Sequence, residues 1–290
     1  MSDPAVPDLR WVVKKAARFA CMTGSLGSGS LLARERFGAP SLRVLTYHRF
    51  AEIAHDPFAV APAVFDEQMA WLADEGRAVS LADLGAFLRG DRALPAGAVL
   101  VTIDDGFRST HREAVRILSD RGIPAVTFVT TTLVGNRAAA AEQPEPYMEW
   151  SELREVEAAG VVIGSHAHTH RSLGLLPIGA AREEARRSRE VLAAELAGPI
   201  ESFAYPFGTR ADYDAATGQA LREAGYAYGF TSKHGAVRAG MDPIELPRVK
   251  VEGGEGMRRF RWLCRGGMDA WQAVDGALHR LQRRRKEQSV

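Results

Sequence analysis

Cysteine is scarce in this sequence, and neither an excess of charge of one sign nor a long apolar run is present. Its 290 residues include only two cysteines, Cys21 and Cys264, so we expect neither a disulfide framework nor a thiolate zinc cage. The 37 Lys and Arg residues balance 36 Asp and Glu, which argues against the basic field of a nucleic-acid-binding protein. We therefore expect no nucleic-acid partner and a reducing, cytoplasmic location.

The N-terminal region lacks the pattern of a signal peptide or a membrane span. Its best apolar stretch, 11–22, is interrupted by Lys14, Lys15 and Arg18, which predicts an amphipathic helix instead. Such a helix either packs on its own domain or lies on an anionic membrane surface. The first arrangement is favoured, and a peripheral contact with the inner membrane surface stays open as an expectation.

Short apolar strands alternate with helical segments through the middle of the chain. Repeated β-α order predicts a parallel sheet covered by helices, and seven or eight units favour closure into a (β/α) barrel over an open doubly wound sheet. We predict an N-terminal basic amphipathic extension at 1–40, a barrel domain at 41–256 and a helical C-terminal extension at 257–290. The predicted strands are 43–47, 99–103, 125–129, 161–164, 202–205, 228–231 and 246–251, and the predicted helices are 64–75, a segment capped by Ser80 that ends at 89, 112–121, 151–159, 179–196 and 213–223.

Polar clusters follow three of these strands at the point where each strand ends. They are 104–106 (Asp-Asp-Gly), 166–170 (His-Ala-His-Thr-His) and 206–208 (Pro-Phe-Gly). The carboxyl ends of the strands in a parallel barrel share one rim, which is where barrel enzymes build their active sites. The sequence therefore predicts one site made from segments about 100 residues apart.

The residue types in these clusters fit a metal-dependent hydrolase. Asp105, His166 and His170 supply a carboxylate and two imidazoles, which leaves an open position as in catalytic zinc sites; His168 is an alternative ligand. A bound divalent ion activates water, and the adjacent Asp104 is placed to take its proton. We expect Zn²⁺, although cobalt, nickel and manganese accept similar ligands.

His48 follows the first strand, 43–47, and is expected to reach the same rim. We predict that it donates a proton or contacts the substrate. The competing interpretation is a buried histidine that only satisfies a hydrogen bond.

Taken in order, the segments 102–106 (Thr-Ile-Asp-Asp-Gly), 165–170 (Ser-His-Ala-His-Thr-His) and 203–208 (Phe-Ala-Tyr-Pro-Phe-Gly) resemble the three signature motifs of the polysaccharide deacetylases, the NodB-homology carbohydrate esterases. The resemblance extends from about 43 to 249. It implies a distorted (β/α) barrel of seven or eight units, with Asp104 as catalytic base and Asp105, His166 and His170 as metal ligands. It also implies that the backbone N–H of Phe207 stabilises the oxyanion.

Two positions depart from the family pattern. Many relatives have an arginine where this chain has Ala204, and that arginine positions the catalytic base. The family's catalytic-acid histidine usually stands in a Leu-x-His context near the C-terminus, for which Leu278-His279 is the nearest match here.

The function expected from these residues is removal of N-acetyl groups from amino sugars of a polysaccharide, oligosaccharide or lipid-linked glycan precursor. The partner is thus an N-acetylated glycan; the sequence does not specify an oligomeric state. Two alternatives remain: a weakly active or inactive glycan-binding protein, suggested by Ala204, and a non-haem Fe(II) oxygenase, which uses the same two-His, one-carboxylate ligand set.

Overall fold

A computed structural model describes residues 9–27, 40–136 and 145–272. Seven parallel strands form one sheet in the order β6-β5-β4-β3-β2-β1-β7. The strands are β1 (Leu42–Tyr47), β2 (Ala98–Ile103), β3 (Ala125–Val129), β4 (Val162–Ser165), β5 (Ser202–Ala204), β6 (Tyr228–Phe230) and β7 (Val249–Lys250).

The segment 246–251 brings the two edges of this sheet together. Leu246 forms a parallel bridge with Phe230 of β6, while Val249 and Lys250 pair with β1. The sheet therefore curls into a distorted (β/α) barrel, as the sequence predicts. The described helices are α1 (Leu9–Gly27), α2 (Pro62–Asp74), α3 (Leu81–Arg89), α4 (Val115–Arg121), α5 (Trp150–Ala158), α6 (Ile178–Glu195), α7 (Ala215–Ala224) and α8 (Met257–Cys264).

The pattern of apolar residues explains why these segments form this fold. Every residue of β1, β2 and β3 is buried, as expected for parallel strands covered on both faces. The predicted capping box at the start of α3 is present: the Ser80 side chain accepts from the Asp83 N–H, and the Asp83 carboxylate accepts from the Ser80 N–H.

Most predicted elements match the structure within two or three residues, with two exceptions. The helix expected at 112–121 begins with a π-helical turn, Thr110–Ala114, before α4. The strand expected at 246–251 is regular only at Val249–Lys250, because this segment pairs with different neighbours at its two ends. Leu278, His279 and the basic run 283–286 lie outside the described residues, as do residues 28–30 of the Gly/Ser-rich segment 24–30.

Helix α1 packs against the barrel through a face that carries two cations as well as an apolar side chain. Lys15, Arg18 and Met22 are buried, while Val12 and Phe19 are exposed. The burial of the two cations departs from the amphipathic pattern expected for this helix, because carboxylates near the end of the barrel segment pair with them. None of the helices in the described ranges is long and apolar enough to cross a bilayer.

Candidate active site and metal centre

Asp105, His166 and His170 come together at the carboxyl ends of β2 and β4. The Asp105 Oδ1 atom lies 3.4 Å from Nε2 of each histidine, and the ligand atoms of the three residues lie within 4.8 Å of one another. A tetrahedral ion with bonds of about 2 Å holds its ligands about 3.3 Å apart. The cluster therefore has the composition and spacing that a divalent metal ion requires.

The backbone around this cluster is held in unfavourable conformations. Asp105, Ala167 and His170 have positive φ values of 73°, 65° and 58°, which L-residues adopt at a cost. These turns direct both ends of the 166–170 loop toward the strand that carries Asp105. Strain of this kind, concentrated at one place in the fold, is typical of a functional site.

Hydrogen bonds further fix the orientation of His166. Its Nδ1 lies 2.8 Å from the carbonyl oxygen of Ala204, so Nδ1 carries a proton, and Nε2, which faces Asp105, is the nitrogen that would bind a metal once its own proton is lost. Burial alone would raise the pKa of the Asp105 carboxyl, but hydrogen bonds from His166 and His170 lower it well below its usual value. An ionised carboxylate and an imidazole lone pair are the donor forms that bind a metal.

Glu184 of α6 holds the middle of the histidine loop. Its buried carboxylate accepts hydrogen bonds from the backbone N–H groups of His168 and Thr169 at 2.9 and 2.8 Å and from the Thr169 hydroxyl at 2.6 Å. The His168 ring instead contacts Thr131, with Nδ1 2.6 Å from the Thr131 hydroxyl oxygen. His168 is therefore outside the cluster, and His166 and His170 are the pair that faces Asp105.

Asp104 is buried beside the cluster in a bidentate ion pair with Arg248. The two guanidinium nitrogens Nη1 and Nη2 lie 2.7 Å from Oδ1 and Oδ2, and Nε donates to the carbonyl of Thr231. Burial raises the pKa of the Asp104 carboxyl, but the charge and hydrogen bonds of Arg248, together with His166 and His48, outweigh this effect, so the pKa lies below its usual value. In many relatives an arginine at the position of Ala204 positions the catalytic base. Here Arg248 supplies the cation beside Asp104 instead.

His48 follows β1 and lines the same cavity as Asp104 and Asp105. Its Nδ1 is buried and has no hydrogen-bond partner among the described residues, and its ring packs edge-on against Phe58 with centroids 4.8 Å apart. Burial lowers the pKa of His48 to about 4, so the ring is neutral at neutral pH. The competing interpretation, a histidine that satisfies a buried hydrogen bond, does not fit this geometry.

Phe207 follows β5 in a left-handed conformation, with φ 62°. Its ring is exposed and lies 5.1 Å from the His170 ring, centroid to centroid, while its carbonyl accepts a hydrogen bond from Ser232. Within the described residues its N–H donates to no other group. That N–H is consequently available to a ligand beside the cluster.

The cavity that these residues share has a volume of about 820 Å³, enough for more than one sugar ring. Tyr147 lines it and stacks on Phe107 at 5.1 Å. The sequence analysis missed two contributors, Arg248 and Glu184. Arg248 lies inside the predicted strand 246–251, and this position was a usable signal because that strand ends at the same rim. No local pattern marks Glu184.

Comparisons with known proteins show what the chain is similar to. The family model for polysaccharide deacetylase matches residues 91–229, which contain all three motifs. YxkH of Bacillus subtilis, named as a polysaccharide deacetylase, is 25% identical over 214 residues, or 73% of this chain and 72% of that protein. The poly-β-1,6-N-acetyl-D-glucosamine N-deacetylase of Escherichia coli K12 is 26% identical over 270 residues, or 80% of this chain and 39% of that longer protein.

Solved structures show the same barrel. IcaB from Ammonifex degensii has a TM-score of 0.68 and 27% identity, with 79% of this chain and 97% of that chain covered. The Streptococcus pyogenes deacetylase PplD, solved in complex with acetate, also gives 0.68, at 23% identity over 78% of this chain and 99% of that chain. Motif order, rim geometry and these comparisons together show that the chain is similar to the polysaccharide deacetylases.

Proposed function

We propose that this deacetylase removes N-acetyl groups from the amino sugars of a polysaccharide, an oligosaccharide or a lipid-linked glycan, and that it needs a divalent metal ion. The observation that carries the proposal is the convergence of Asp105, His166 and His170 beside a buried Asp104 paired with Arg248. The E. coli relative is named for an N-acetylglucosamine polymer, which supports an amino-sugar substrate here.

Asp105, His166 and His170 would hold the ion. When bound, a divalent cation, with Zn²⁺ expected, would supply Lewis-acid polarisation of the acyl carbonyl and of the attacking water. The low pKa of Asp104 keeps its carboxylate ionised and able to accept the proton of that water. The bidentate contact with Arg248 fixes the direction in which its lone pairs point.

The charge that develops on the acyl oxygen needs a hydrogen-bond donor. The Phe207 N–H serves this purpose, and such donors are worth a few kcal/mol in other hydrolases. His48 completes the reaction by giving a proton to the departing amine. Because its ring is neutral before the reaction, His48 receives this proton during turnover, and Asp104 is its source.

Acetate release tests the proposal. The metal-reloaded protein is incubated with β-1,4- and β-1,6-linked N-acetylglucosamine oligomers, alongside Asp104→Asn and the control His168→Ala. We expect acetate from at least one oligomer, retention of most activity in the control, and a loss of about 10²- to 10⁴-fold in Asp104→Asn, the usual worth of a general base.

The alternatives give other results. Oligomer binding without acetate release by any metal-loaded form would support the inactive glycan-binding protein. Oxygen consumption with Fe(II) would support the oxygenase. The Arg248 contact with Asp104 counts against the first alternative as far as that alternative rests on Ala204.

A further inference from the structure

Helix α1 contacts the barrel through Lys15 and Arg18 as well as through the buried Met22. Lys15 Nζ donates to the carbonyl of Gly253 at 2.8 Å and lies 3.1 Å from a Glu252 carboxylate oxygen. Two nitrogens of Arg18 contact both carboxylate oxygens of Glu255, at 2.7 and 3.0 Å. Partners this specific fix how α1 is rotated about its axis.

This rotation turns apolar side chains outward. Val12 and Phe19 are each 43% exposed, and Ala16 and Ala20 of the same helix are exposed as well. These four residues follow the spacing of one helix face. A helix whose only partner is its own domain buries such a face instead, so this one is suited to a second partner.

Helix α8 carries three arginines that stack on aromatic rings, and Arg259 connects them to this face. Arg259 stacks over the ring of Phe19, with its guanidinium carbon 4.9 Å from the centroid, and Arg258 stacks over Trp262 at 4.6 Å. Arg261 lies over Trp71 at 5.8 Å. Among the described residues, no carboxylate comes within 4.0 Å of these three guanidinium groups.

We propose that this surface, the outer face of α1 with the arginines of α8, binds an anionic lipid bilayer. Three arginines with no acidic partner in the described part of the chain complement anionic headgroups, and each contributes about 1 kcal/mol near such a surface. Apolar side chains next to arginines that stack on aromatic rings fit the boundary between headgroups and acyl chains. A nucleic acid would use the charges but leave Val12 and Phe19 in water, so a lipid surface accounts for more of the face.

The position of α1 relates this surface to the active site. Arg18, on the inner side of α1, lines the cavity that holds His48 and Asp104. A bilayer against the outer side would therefore be separated from the cavity by about one helix diameter, roughly 10 Å. The surface does not depend on the identity of the substrate, so it can be tested separately from the deacetylase reaction.

Vesicle co-sedimentation tests the surface. The full chain is mixed with phosphatidylcholine vesicles with or without about one third phosphatidylglycerol, an anionic lipid. The apolar variant is Val12→Ser with Phe19→Ser, and the charge variant is Arg258→Gln, Arg259→Gln and Arg261→Gln. The matched control removes three exposed arginines of α6, by Arg182→Gln, Arg186→Gln and Arg187→Gln. Thermal unfolding of each variant establishes that it is folded.

We expect binding to the anionic vesicles and little to the neutral ones. The charge variant should bind on the order of 100-fold more weakly, which is about fivefold for each arginine, and the apolar variant at least about tenfold. The control should bind like the wild type. Equal binding to both vesicle types, or equal losses in the control and the charge variant, would overturn the proposal. So would a Phe19-dependent dimer, or binding to a nucleic acid, without vesicle binding.

Discussion

Arg248 orients the Asp104 carboxylate and is the main group that favours its ionised form. Arg248 contacts both carboxylate oxygens, and removing one partner of such a buried pair is costly because the other charge is left alone. Lysine at this position would keep the charge but lose the planar fork. The charge and the geometry of this contact can therefore be separated by substitution.

The first prediction concerns Arg248→Lys. We expect turnover to fall about 10- to 100-fold, as for other residues that support a catalytic group. The acid limb of the pH dependence of kcat/KM should move to higher pH. Burial raises the Asp104 pKa, and lysine would counteract that effect less than arginine does. A pH profile measures both effects, with the exposed Arg238→Lys as control. An unchanged profile would mean that Arg248 does not act through Asp104.

His48 makes stability depend on pH with a defined sign. Its pKa is about 4 in the folded protein, against an ordinary value of about 6.5. Between these values the unfolded chain binds more protons, so stability decreases as the pH falls through this range. From pH 7.5 to pH 5, His48 thus lowers the free energy of unfolding by about 2 kcal/mol.

His48→Gln should remove that contribution. The measurement uses the metal-free protein and compares how much the free energy of unfolding decreases from pH 7.5 to pH 5. We expect this decrease to be about 2 kcal/mol smaller in the variant than in the wild type. Urea unfolding at both pH values measures the difference, and groups that titrate in both proteins cancel. Parallel pH dependences would contradict the burial of His48 as a neutral ring.

At the scale of elements, α6 supports the metal centre without contributing a ligand. Glu184 is buried and accepts three hydrogen bonds from the histidine loop, whereas its neighbour Glu183 is exposed and pairs with Arg186. Neighbouring positions of one helix thus provide a test residue and its control. The carboxylate holds the strained turn between His166 and His170.

Glu184→Gln should weaken metal binding about 10- to 100-fold, the usual effect of disturbing groups behind the ligands. The amide keeps the size of the side chain but offers only one acceptor oxygen to three donors. A Zn²⁺ titration in competition with a chelator measures the affinity, with Glu183→Gln unchanged. Equal affinities in all three proteins would show that the loop holds its conformation without Glu184.

Local sequence patterns predicted most elements because their causes are local. The buried apolar run of β2 and the Ser80 capping box each require only neighbouring residues. The segment 246–251 was predicted as one regular strand, but it bridges β6 at Leu246 before it pairs with β1. Those two sets of partners follow from closure of the barrel, which no local pattern encodes.

At the scale of the whole molecule, the features that the sequence did not predict are contacts between residues far apart in the chain. Three motifs at strand ends indicated one rim, and the structure brings Asp105, His166 and His170 together there. Arg248 pairs with a carboxylate 144 positions away, and the rotation of α1 depends on Glu255, 237 positions from Arg18. Residue types and strand order predicted the site, whereas these pairings needed the folded chain.

The most direct test of the account is the metal content of single variants after reloading with Zn²⁺ and gel filtration. We predict about one equivalent bound in the wild type and in His168→Ala, as a single three-ligand site requires, and much less than one in Asp105→Ala, His166→Ala and His170→Ala. Loss of the metal in His168→Ala, or its full retention in the other three variants, would contradict the account.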